Sequence, residues 1–196
     1  MQHQPWSILA LCVFSIVAAG CGDDASAAPE DEAAAGASNL GGMPGDAQTT
    51  PPQGTDELEA WLEKGDYKSW ACETVEHPQM KVSPHGINRV CSNDLAAGFQ
   101  GSVSDERPLG TASVKEIYDD ASALVGYAVG VKIAAESAAG SNWYWYERVR
   151  QNVVVDGLGD TEPAKSACVG CHAGAGSDAQ HAVTGSSDFV YLQVAP

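Results

Sequence analysis

Lysine and arginine are missing from the first 54 of 196 residues; all ten follow, against 26 aspartates and glutamates in the whole chain. The formal net charge is −16, a balance that repels phosphate and argues against nucleic acid as a partner. No long apolar run is present. The longest stretch, Ser7 to Ala19, is too short to span a bilayer and has the length of a signal-peptide core. Residues 22–54 contain no aromatic residue. They are built from Ala, Gly, Pro, Asp and Gln, which cannot bury enough apolar area to offset chain entropy. There is no internal repeat and no heptad. A second Cys-x-x-Cys is also absent, which weakens a structural zinc site.

These absences divide the chain into three parts. Residues 1–20 read as a leader ending in Ala18-Ala19-Gly20 before Cys21. The small residues followed by cysteine resemble the lipoprotein cleavage box of bacteria. Cys21 would then carry a lipid, the membrane would be engaged only through it, and the protein would sit in the bacterial envelope on the periplasmic side. The leader departs from that pattern in having no Lys or Arg and in having Ala three positions before the cysteine. Secretion with a free Cys21 is the alternative. Residues 21–54 read as an extended acidic tether, and 55–196 as one domain of about 140 residues, near the commonest domain size. Of six cysteines, Cys72 and Cys91 remain once Cys12, Cys21 and the C-terminal pair are set aside. An oxidising compartment permits a disulfide between them; two buried thiols are the other reading.

Within the domain, Thr55 suits an N-cap, Asp56 and Glu57 favour a first turn, and Leu58, Trp61 and Leu62 repeat at helical spacing. A short helix is expected over 56–64, stopped at Gly65. Downstream the period becomes two. Strands are expected at Thr111–Asp119, Leu124–Ile133, Asn142–Arg150 and Asp188–Val194. Even positions of the second run Gly126, Ala128, Gly130, a flat face that could seat a planar ring or merely pack on a neighbouring strand. The class is α+β: mainly an antiparallel β-sheet with a few flanking helices.

Cys168-Val-Gly-Cys171-His172 is the attachment sequence of c-type haem. Two thiols three positions apart add to the two vinyl groups of one haem edge, and the next imidazole reaches the iron. Gly170 is expected to allow a tight turn between them. A thioredoxin-like redox pair lacks its βαβ context; a zinc site would have to draw on His181, nine residues on. The sixth iron position decides between electron transfer and small-molecule chemistry. Met80, His77, His85 and His181 are the candidates.

Four motifs in order resemble the cytochrome P460 family, which includes the β-sheet cytochromes c′. They are Ser-Val-Lys115-Glu-Ile-Tyr, Asn-Trp143-Tyr-Trp145-Tyr-Glu147, Cys-x-x-Cys-His and Asp188-Phe-Val. The resemblance covers residues 57–194. It implies a mostly antiparallel β domain, usually a homodimer, with one covalent haem c held against the sheet and His172 as proximal ligand. Lys115 falls on the lysine that cross-links to porphyrin in P460 proper; a lysine paired with a propionate, or simply solvated, is the alternative. The family implies a small nitrogenous ligand or substrate, hydroxylamine or nitric oxide, and an external redox partner. No carboxylate occupies Gly130–Ile133, where the enzymes' acid is expected, and Glu136 lies past the strand end. Arg89, His85 and Lys132 are the polar candidates for the distal pocket. A low-spin electron carrier and a non-catalytic nitric oxide sensor remain alternatives.

Overall fold

The computed structural model describes residues 50–79, 83–102, 104–136, 140–175, 187–191 and 194. The leader, Cys21 and most of the tether lie outside them, as do Met80 and His181. The described part of the tether is not loose: Pro51 is buried, and the Gly54 N–H donates to the Tyr144 hydroxyl at 3.0 Å. Packing onto the domain thus begins before residue 55.

Helix α1 runs Thr55–Lys64. Its N-cap is Gly54. Thr55 is already helical, and its hydroxyl donates to Asp156 Oδ2 at 2.6 Å instead of capping. Gly65 ends the helix at φ 73°, the left-handed conformation that glycine takes without a Cβ penalty. Leu58, Trp61 and Leu62 bury one stripe, each worth about 1.5–3 kcal/mol of transfer free energy.

Six strands follow: β1 (Ala71–Cys72), β2 (Ile87–Ser92), β3 (Ala112–Tyr118), β4 (Leu124–Lys132), β5 (Trp143–Val149) and β6 (Asn152–Leu158). They form one antiparallel meander in chain order. A single helical turn, α2 (Asp94–Ala97), links β2 to β3 and is capped by Asn93, whose side chain accepts from the Ala96 N–H. Cys72 and Cys91 face each other across β1 and β2 and are joined by a disulfide. Closing a loop of 19 residues contributes on the order of 3 kcal/mol in the chain-entropy account.

Alternation gives the sheet two faces. Val114, Tyr127, Val129, Val131, Tyr144 and Tyr146 join α1 and Tyr67 in the main core. On the other face, Trp143, Trp145 and Val155 meet Ala164, Cys168, Val169 and Val190. The strand expected at Asp188–Val194 does not form among its described residues. Ser187–Val190 instead closes a tight turn, with backbone bonds of 3.0 and 2.8 Å between its ends. Strands β2 and β6 were not legible: INRVCS carries polar residues at both parities, and Val153–Val155 run without alternation.

Candidate functional site

The second face of the sheet carries a cavity of about 1060 Å³, mouth included. Its floor is the alternate residues of four strands: Asn88 and Val90, Ser113 and Lys115, Ala128 and Gly130, Trp143, Trp145 and Glu147. Its roof is a π-helical turn, Lys165–Val169, running into the single turn α3 (Gly170–His172). Cys168, Cys171 and His172 all line it.

The roof is clamped to the sheet through small residues. Gly140, at φ 85°, and Gly159 lie directly under Val169: a Cβ on either would come within 2.9 Å of a Val169 methyl, and one on Gly159 within 2.1 Å of the Gly140 carbonyl oxygen. Gly170, by contrast, is ordinary right-handed helix at φ −53°, ψ −33°, and a Cβ there would meet nothing closer than 3.7 Å. The helix itself brings both thiols to the cavity, so the turn expected at Gly170 is not what spaces them. The flat strip of β4 is also reinterpreted. The Trp145 indole covers Gly130 at 3.1 Å and the β5 backbone closes on Gly126 at 2.2 Å, measured from where a Cβ would stand. The indole, more than the glycines, forms the floor.

Burial pushes the Cys168 thiol up to about 12, with Glu147 and Cys171 adding to it. A thiol held protonated is a poor resting nucleophile for disulfide exchange. Among the described residues no group of three or more metal-binding side chains exists.

His172 has a defined tautomer. Its Nδ1 stands 2.7 Å from the Phe189 carbonyl oxygen, an acceptor only, so Nδ1 carries the proton and Nε2 keeps the lone pair. Desolvation lowers its pKa to about 4, against the raising effect of that carbonyl and with help from Lys115 and His85. The ring is therefore neutral at pH 7, the form that ligates metals. Trp145 packs on it with centroids 4.7 Å apart, and the Tyr191 hydroxyl donates to the Cys171 carbonyl at 2.6 Å.

The Phe189 carbonyl is presented by a strained turn. Asp188 and Phe189 occupy its central positions at φ 42° and 66°, the double positive φ of a type I′ turn, which favours Asn or Asp followed by Gly. Asp tolerates this; a phenylalanine there is an outlier, costing on the order of 1–3 kcal/mol.

Lys115 faces the cavity from β3. Burial lowers its pKa, partly offset by Glu73, Glu147 and Cys171. His85 lines the cavity too, with Nδ1 3.4 Å from Glu147 Oε1 in an ion-pair contact that lacks hydrogen-bond geometry. His77 lines it with both ring nitrogens engaged, at 2.8 Å from the Pro78 carbonyl and 3.1 Å from Glu73. The other two distal candidates are elsewhere. Arg89 points to the opposite face, where its guanidinium holds Glu116 at 2.6 and 2.7 Å; alternation along β2 sends Asn88 and Val90 to the cavity and Arg89 away. Burial would raise the Glu116 carboxyl, but bonds from Arg89, Tyr118 and Tyr67 hold it below its usual value. Lys132 lies at the end of β4, buried, 2.8 Å from Asp188 and 3.4 Å from Glu106, and does not line the cavity.

Glu147 is the carboxylate that sequence reasoning missed. Trp143 and Trp145 share a face, and extending the same alternation by two residues would have placed Glu147 beside them. Four residues of the lining, His85, Ser113, Trp143 and Trp145, each bury a polar side-chain atom that makes no hydrogen bond among the described residues. Comparison with family profiles, with characterised proteins and with solved structures finds no match to this chain.

Proposed function

We propose that the chain is a monohaem c-type protein of the P460 type, with an open iron site that binds small nitrogen compounds such as hydroxylamine or nitric oxide. One observation carries the reading: both thiols of Cys168-x-x-Cys171 and a neutral His172, its Nδ1–H spent on a backbone carbonyl, line the same cavity. Cys168 and Cys171 would hold the haem edge, and His172 Nε2 would ligate the iron. The aromatic floor of Trp143 and Trp145 would exclude water from one ring face. When bound, haem supplies a metal that coordinates a nitrogen lone pair and passes single electrons to an external redox partner.

Lys115, Glu147 and His85 are the polar groups placed to meet haem or its ligand. Lys115 would serve as the porphyrin cross-link or as a propionate partner. Glu147 and His85, 3.4 Å apart, would present a carboxylate and an imidazole to a bound nitrogen compound. Export and lipidation at Cys21 in the bacterial envelope belong to the same reading, as does a homodimer.

A second reading is a low-spin electron carrier with a histidine as sixth ligand, for which His85, a residue of the cavity lining, is placed.

The full chain, made in a host with cytochrome c maturation, is expected to carry haem through denaturing electrophoresis. Cys168→Ser with Cys171→Ser abolishes this, whereas His172→Ala keeps the bond but alters the spectrum. A colourless product at bare-polypeptide mass would overturn the haem assignment. A high-spin ferric spectrum that changes on adding hydroxylamine or nitric oxide supports the open site; a low-spin spectrum lost in His85→Ala favours the carrier. A haem-peptide digest containing both the residue-115 and the residue-168 peptides decides for the cross-link.

A further inference from the structure

The buried polar cluster beside the cavity has no role in holding the haem edge, yet it sits one residue from the His172 acceptor. Asp188 Oδ2 accepts from the Arg107 backbone N–H at 2.7 Å and from Lys132 Nζ at 2.8 Å. Arg107 grips the same turn a second time, donating from Nε to the Ser187 carbonyl at 3.3 Å, and reaches the Ala96 carbonyl from Nη1 at 3.1 Å. These anchors come from β4 and from the segment just before β3. They join the C-terminal turn to the rigid sheet.

We propose that Asp188 is a positioning residue for His172: clamped by Lys132 and Arg107, it holds the Ser187–Val190 turn so that the Phe189 carbonyl stays on His172 Nδ1. The turn breaks a local rule of backbone conformation. Two successive positive φ values ending on phenylalanine are unfavourable by themselves, so the surrounding structure must impose them. The Asp188 side chain is the part of the turn that enters the buried anchor, and the Phe189 carbonyl is the next peptide group along. Strain in a turn whose carbonyl orients a ligand is an arrangement in which the fold, not the local sequence, fixes the direction of the imidazole. A hydrogen-bonded Nδ1–H makes Nε2 more electron-rich and prevents the ring from flipping. The consequence for iron rests on the haem reading above; the turn and its anchor belong to the polypeptide.

Two arms test it separately. In the full chain made without haem, the His172 Nδ1–H is followed by nitrogen-edited NMR, with the amide protons of β3 as internal reference. Asp188→Gly removes the carboxylate while accepting the turn's φ. It is expected to speed Nδ1–H exchange at least tenfold with the β3 amides unchanged; Asp188→Asn, which keeps the shape and loses the charge, gives a smaller effect of the same sign. In the haem-loaded chain, the same variants lower the ferrous iron–histidine stretching frequency and raise the reduction potential. Unchanged Nδ1–H exchange in folded Asp188→Gly overturns the proposal. If that variant does not fold, Asp188→Asn decides on the same readout. Should wild type take no haem while the exchange results hold, the haem reading falls and the role of Asp188 stands.

Discussion

His172 shows how much one side chain depends on its surroundings. In the haem-free chain its folded pKa of about 4 lies below the ordinary 6.5. Between those values the unfolded chain binds the extra proton, so stability rises with pH from about 4 to 6.5 and is lost on acidification through the same window. The residue is only part-buried, and solvent screening reduces the penalty, so the effect is at most about 3 kcal/mol. Urea titrations of the haem-free chain at pH 7 and pH 4.5 are expected to show this loss, and His172→Gln to remove most of it. Arg89 and Lys132 illustrate the converse. Both are the right chemical type for a distal pocket, and each is drawn off by a carboxylate, Glu116 or Asp188. Of the two, only Lys132–Asp188 is buried on both sides, and breaking such a pair by removing one partner typically costs about 3–5 kcal/mol.

At the level of elements, the roof helix depends on close approach. The segment from Lys165 to His172 has no charged cap and is short. It is held by Val169 seated over Gly140 and Gly159. Gly159→Ala would drive a methyl into the Gly140 carbonyl and the Val169 side chain. Overpacking of this kind costs roughly 1–3 kcal/mol. The expected outcome is a lower urea midpoint together with less haem attached per chain, measured by absorbance per mole. If attachment stays at the wild-type level while stability falls, Val169 does not couple the glycines to the thiols. The strands are more forgiving. Helix α1 and strands β3, β4 and β5 were legible to within a residue or two at their ends, the first three from a period of 3.6 or 2 and β5 from its aromatic, β-prone composition. The segment after Ser187 was misread as a strand because aromatic and β-branched residues there satisfy strand propensity; the turn closes on itself through positive φ values that no propensity reports.

For the whole molecule, the sheet separates stability from chemistry. One face packs α1 and the aromatic cluster around Tyr67; the other lines the cavity. Leu58, fully buried in the first, is remote from the second. Leu58→Ala is expected to cost about 2–5 kcal/mol by chemical denaturation while leaving the spectrum of the haem-loaded, folded protein unaltered. A changed iron spectrum in that variant would show that the two faces are coupled.

Composition and spacing alone determined the acidic leading segment, the helix at residue 55, the three central strands and the Cys168–His172 motif; they offered Cys72 and Cys91 as a pair, which the β1–β2 register brings together. All of these are local in the chain, or follow from counting. What only the tertiary structure decided is which polar residues meet. Glu147 and His85 come to the cavity, Arg89 leaves it, and Lys132 is committed to Asp188. The physical reason is that a strand's alternation gives a side chain its face, but register with the neighbouring strands gives it a partner. Register is set by contacts far apart in sequence, such as Arg89 opposite Glu116 and the C-terminal turn against β4.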